Sequence, residues 1–126
     1  MIVLDTCALL WLAEGGGQLS APLLARLDEE PIVAVSAISA FEISLKVISS
    51  KLVLPLPVRE WWKGVVDHHR LSVIDITGEI ALKSTELAPI HRDPADRFII
   101  STALLNNAPI VTADRRFEEY SVTVLL

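Results

Sequence analysis

The chain has 126 residues, 52% of them hydrophobic and 21% charged, a composition that builds a packed core and excludes a disordered chain. Its formal net charge of −5 argues by itself against a general nucleic-acid-binding surface, unless the acids are gathered to hold metal ions. The single cysteine, Cys7, excludes an intramolecular disulfide framework and fits a reducing, cytoplasmic setting, and no apolar stretch approaches the roughly 20 residues of a membrane span.

The N-terminal stretch MIVLDTCALLWLAE has no basic segment and carries Asp5 within its apolar run, so it is not expected to be a secretory signal. Its start, Ile2-Val3-Leu4, reads as a strand, and helices are predicted over about 7–13 and 20–29 on either side of the Gly15-Gly16-Gly17 cluster. Ile32–Val35 is a second strand, followed by a helix over 37–50 and, past Pro55, another over 57–69. Val73-Ile74 is a third strand, with helices over 78–88 and 94–106 behind it. Pro109–Thr112 is a fourth strand, 114–119 a short helix, and Val122–Leu126 an edge or final strand. The strand runs are apolar on successive residues, as in a parallel sheet buried on both faces. Strand–helix alternation of this kind predicts an α/β sandwich, here a single domain over 1–126.

The acids fall at telling places. Asp5 follows the first strand, Glu42 lies early in the helix after the second, Asp96 lies in the first turn of a helix, and Asp114 follows the fourth strand. Strand C-termini and the helix N-termini after them share one edge of a parallel sheet, where ligand sites form. Four acids from distant parts of the chain are thus expected on one rim.

Each acid also has a plainer reading. Ser39 and Glu42 match a capping box, and Glu42 and Lys46 a favourable i,i+4 pair. Asp93 can cap a helix whose first residue is Pro94, with Asp96 favoured by the helix dipole, and Asp5 and Asp114 can form turns. Spacing separates the cases for Asp96. Ile99, Ile100 and Ala103 follow it at +3, +4 and +7, so it heads the inward stripe while Asp93 takes the cap. Unpaired buried charges are costly, and like charges raise one another's pKa. No lysine or arginine is placed to neutralise all four acids. A hard divalent cation would do so, with Mg²⁺ or Mn²⁺ better suited to carboxylates than zinc.

The segments IVLDTCALLWLA, VSAISAFEISLK, KLVLPLP, HRDPADRFIISTA and IVTADRRF resemble, in order and over nearly the whole chain, the PIN-domain ribonucleases, and among them the VapC-type toxins of toxin–antitoxin systems. The resemblance implies a three-layer α/β/α sandwich and an acidic metal site made of Asp5, Glu42, Asp96 and, as a less constant fourth member, Asp114. Thr6 matches a hydroxyl residue after the first acid. Cys7 stands where histidine is common and reads as a small buried residue without a catalytic role, and Asp93 reads as a cap first and a ligand second. The resemblance also implies Mg²⁺-dependent cleavage of RNA, a homodimer, and inhibition by a VapB-type antitoxin.

Lys46, Arg92, Arg97, Arg115 and Arg116 lie close in sequence to the acids and offer a local basic rim for phosphates. His68 and His69 read as solvated, His91 as a loop contact, and Trp61 and Trp62 as core packing, while Trp11 fits the core or a protein interface. Two other classes compete. A phosphoacceptor receiver domain needs an acidic pair near the first strand and a lysine after a late one, and neither is present. A non-catalytic PIN-like binding module is marked by loss of an acid, and all four are present.

Overall fold

The structure, a computed structural model, describes residues 1–126. Five strands form one sheet: β1 (Ile2–Leu4), β2 (Val33–Ser36), β3 (Ser72–Ile74), β4 (Ile110–Val111) and β5 (Val124–Leu125). Their order is β3-β2-β1-β4-β5, and every pairing is parallel. Six α-helices join them: α1 (Thr6–Ala13), α2 (Ala21–Glu29), α3 (Ala37–Ile48), α4 (Val58–His68), α5 (Gly78–Glu86) and α6 (Pro94–Leu105). The segment expected as a short helix after β4 is a 3-10 turn, Arg115–Tyr120.

Pleating sends alternate strand residues to opposite faces, and each face is covered. Ile2, Leu4, Val33, Val35 and Val111 meet Leu9 of α1, Leu23 and Leu27 of α2, Ile43 of α3 and Trp61 of α4. Val3, Ala34 and Ile110 meet Ile99, Ile100 and Ala103 of α6, with Phe117 and Tyr120 from the 3-10 turn. This is the expected three-layer α/β/α sandwich. Trp11 and Trp62 pack half-buried against the first core, and His69, edge-on to His68, is only partly covered.

β3 departs from the double-sided burial expected of Val73-Ile74. As an outer strand, it leaves Ser72 and Val73 exposed. The three glycines after α1 all have positive φ, and a side chain at Gly17 would collide with Trp11. No helix is long and apolar enough to cross a membrane.

The strand order reverses between β1 and β4, because the chain grows outward from β1 through β2 to β3 and then returns to β1's other side. A crevice opens where successive connections diverge in this way. Asp5 stands at the end of β1, and Asp114 shortly after β4.

Candidate active site

Asp5 caps α1, its Oδ1 accepting from the Ala8 amide at 2.8 Å, and its own amide donates to the Val111 carbonyl at 3.1 Å. The second bond fastens the end of β1 to β4, and Asp5 is only 8% exposed there. Burial pushes this carboxyl above the usual range, opposed by the Thr112 hydroxyl and the Ala8 amide. The plain capping role and the site role coincide in one residue.

Glu42 does not close a capping box. Ser36 caps α3, accepting from the Ile38 amide at 3.2 Å, because the helix begins one turn before the position that pattern implied. Glu42 instead accepts from the Thr6 hydroxyl, and the buried Ser39 hydroxyl lies 2.9 Å from the same oxygen of Thr6. Thr6 has one proton and gives it to Glu42, so Ser39 donates to Thr6. Burial is the main force raising the Glu42 carboxyl, with Asp93's charge adding to it. The expected Glu42–Lys46 ion pair is replaced by a through-space effect, in which the Lys46 charge favours ionised Asp5 and Glu42 without a direct bridge.

Asp93 caps α6 as expected, accepting from the Ala95 amide at 2.9 Å ahead of Pro94. That leaves Asp96 one turn on, half-buried and with no hydrogen bond to hold its charged form. Its pKa is raised to about 6, first by burial and then by the charges of Asp93 and Glu42. Asp5, Glu42, Asp93 and Asp96 therefore feel one another across the rim, although no three His, Cys, Asp or Glu side chains close into a finished metal cage.

Asp114 behaves differently. Its Oδ1 accepts from the Arg116 amide and Nε, both at 3.0 Å, and its Oδ2 from Arg116 Nη2 at 2.8 Å and His91 Nε2 at 3.0 Å. Arg116 above all holds the carboxyl well below the usual range. His91 is a loop contact, as expected, but a buried one at 4% exposure. The Tyr120 hydroxyl accepts from its amide at 2.7 Å and lies 3.0 Å from Nδ1, and Phe117 meets its ring edge-on. The network is satisfied when Tyr120 donates to Nδ1 and Nε2–H donates to Asp114. Nothing in the sequence announced the Tyr120–His91–Asp114 chain, because His91 comes from the loop before α6 and meets the two ends of the distant 3-10 turn only in the folded chain.

Two expectations are corrected by surroundings. Arg97 is not part of a basic rim. Its guanidinium donates to the carbonyls of Ser84 (2.9 Å), Leu87 (2.8 Å), Ala88 (2.9 Å) and His91 (3.1 Å), satisfying groups at and beyond the end of α5 and leaving none of its forks for phosphate. Cys7 is exposed rather than buried, because Thr6, Ala8 and Leu9 take the inward directions of α1. Its thiol is pushed up by burial of its inner part and by the charge of Asp5.

Beside the acids, Phe41, Leu45 and Ile48 form an outward apolar stripe on α3, with Phe41 58% and Ile48 77% exposed. They wall a groove of about 580 Å³ that is also lined by Glu42, Lys46, Asp93 and Phe98.

A parallel α/β sheet carrying acids at its strand ends defines a broad class of ligand-binding and catalytic proteins. Within it, this chain belongs to the PIN domain family, whose model matches residues 2–122. It is 29% identical over 120 residues to Ribonuclease VapC22 of Mycobacterium tuberculosis, covering 94% of this chain and 91% of the relative. Its fold is similar to that of a chain in the VapBC2 complex of Rickettsia felis bound to a promoter DNA fragment, with a TM-score of 0.72, 21% identity, and coverage of 99% and 98% of the two chains. A chain of a toxin–antitoxin complex from Klebsiella pneumoniae matches with a TM-score of 0.67 and 20% identity, over 100% of this chain and 97% of that one.

Proposed function

We propose that this protein is a VapC-type endoribonuclease, the toxin of a toxin–antitoxin pair, and that it hydrolyses RNA with Mg²⁺ held by Asp5, Glu42 and Asp96. The observation that carries the reading is a set of three carboxyls from three separate elements, Asp5 buried and Glu42 and Asp96 half-buried, with none ion-paired to a protein cation. Oxygen donors of this kind suit Mg²⁺, with Mn²⁺ as a substitute. A bound ion of this type lowers the pKa of a coordinated water and polarises a phosphoryl oxygen.

The chain's own residues do the rest. Asp5 is fixed by its cap bond to Ala8, and Glu42 is oriented by the Ser39–Thr6 relay, so both carboxylates are aimed before any ligand arrives. Lys46 stands near both acids and moderates their repulsion. Water attack, rather than attack by the neighbouring 2′-hydroxyl, gives products with a 5′-phosphate and a 3′-hydroxyl.

The partner is a VapB-type antitoxin with an apolar segment for the Phe41–Leu45–Ile48 stripe and a basic side chain reaching the acids that line the same groove. A second copy of the chain completes the working unit, a homodimer. The test is growth on expression of the chain alone. Wild type should arrest growth, and Asp5→Asn, which keeps a capping side chain and deletes a charge, should relieve the arrest at matched expression. Equal arrest by both would replace the nuclease reading with that of a non-catalytic binding module.

A further inference from the structure

We propose that in this chain Asp114 is a positioning residue rather than a metal ligand, and that the side chain it positions, Arg116, contacts an RNA phosphate at the mouth of the three-acid site. The proposal rests on the nuclease reading.

A carboxylate offers about four lone-pair sites. Asp114 meets four N–H donors, three from Arg116 and one from His91. A cation bound there would have to displace one of them. His91 is buried and held at its amide and at Nδ1 by Tyr120, so its side cannot yield without releasing the loop before α6. Asp96, by contrast, has no donor at all to displace. The acids divide into three that await a cation and one that already has its own.

Arg116 is exposed, and a free arginine at such a position samples many rotamers. Here Nε and Nη2 form a fork on the two oxygens of Asp114, which fixes the guanidinium plane and leaves Nη1 without a protein partner. Val111 pairs with Leu4 across the sheet, so the segment after β4 that carries Asp114 and Arg116 leaves the sheet beside Asp5, and the charge of Asp96 reaches the guanidinium. Planar, permanently charged and pre-oriented, it suits a phosphate oxygen. The chain Tyr120–His91–Asp114–Arg116 runs from the second core to the surface and carries the rigidity of the fold to this one cation.

The test compares wild type, Asp96→Asn, Arg116→Gln and the double variant Asp114→Asn/Arg116→Gln, which removes the pair without changing net charge. Calorimetric titration with Mn²⁺ should give the double variant a Kd within about twofold of wild type, against a weakening of about tenfold or more for Asp96→Asn. On a labelled RNA, Arg116→Gln should raise KM about tenfold with kcat within about threefold, while its circular dichroism spectrum matches that of wild type. Loss of Mn²⁺ affinity in the double variant equal to that of Asp96→Asn would make Asp114 a ligand and overturn the proposal. An unchanged KM in Arg116→Gln would overturn the phosphate contact. Failure of wild type itself to take up Mn²⁺ would remove the nuclease reading, and this proposal with it.

Discussion

Asp96 and Asp114 lie on the same rim and are the same residue type, yet their surroundings drive them in opposite directions. Asp96 is half-buried, unbonded and crowded by Asp93 and Glu42, so its carboxyl is raised to about 6. Asp114 is tied to Arg116 and His91, so its carboxyl lies far below the usual range. One is an unmet demand for positive charge and the other a met one. The contrast shows that an acid's position in a motif does not decide its work; its hydrogen bonds do.

The largest expected effect separates the two acids by sign. In chelator at neutral pH, Asp96→Asn should stabilise the fold by on the order of 1 kcal/mol, allowing for the screening of a half-buried group, because it removes a desolvated and repelled charge. Asp114→Asn should destabilise it by about 1 kcal/mol, because it weakens the bonds to His91 and Arg116. Mg²⁺ should then raise the Tm of wild type and leave Asp96→Asn little changed, since an ion that binds only the folded site stabilises by mass action. Thermal melts of the three proteins with and without Mg²⁺ read both effects. Destabilisation by both substitutions in chelator would erase the distinction.

A smaller effect follows from pH. The folded-state pKa of Asp96 lies above its ordinary 3.8, so between about 4 and 6 the folded protein binds more protons than the unfolded chain. This group, with the raised Asp5 and Glu42, makes the metal-free protein lose stability as pH rises through that window. Asp114 has the opposite sign, and its stabilisation is lost only as pH falls below the ordinary carboxylate range. Metal-free Tm should therefore be higher near pH 5 than at pH 7.5, and saturating Mg²⁺ should shrink the difference. A metal-free Tm that rises from pH 5 to 7.5 would contradict the assignment of Asp96.

The layout of the fold was legible because its signals are local. Short apolar runs such as Ile2–Leu4 and Ile32–Val35 and proline-punctuated helical stretches place the strands and helices within a few residues. Two local readings failed for different reasons. Val73 looks like a buried strand residue, but sheet order, which no short stretch encodes, puts β3 on the edge. The Ser39–Glu42 capping box is a true pattern outcompeted by Ser36, after which both residues turned to Thr6 on another helix. At the site, the acids could be named from strand ends and helix starts, but their partners could not. Arg97 and Arg116 are equally basic, and each lies within two residues of an acid in the sequence. One is consumed by four carbonyls, while the other is forked on Asp114 and keeps Nη1 free, a division made by tertiary neighbours alone.

The most direct test of the central claim is cleavage of a labelled RNA by the purified protein, freed of any antitoxin, in Mg²⁺ and then in excess chelator. Cleavage in Mg²⁺ should leave 5′-phosphate ends, stop in chelator, return with Mn²⁺, and fall by about a hundredfold or more in Asp96→Asn. Cleavage undiminished by chelator, or equal in wild type and Asp96→Asn, would contradict it.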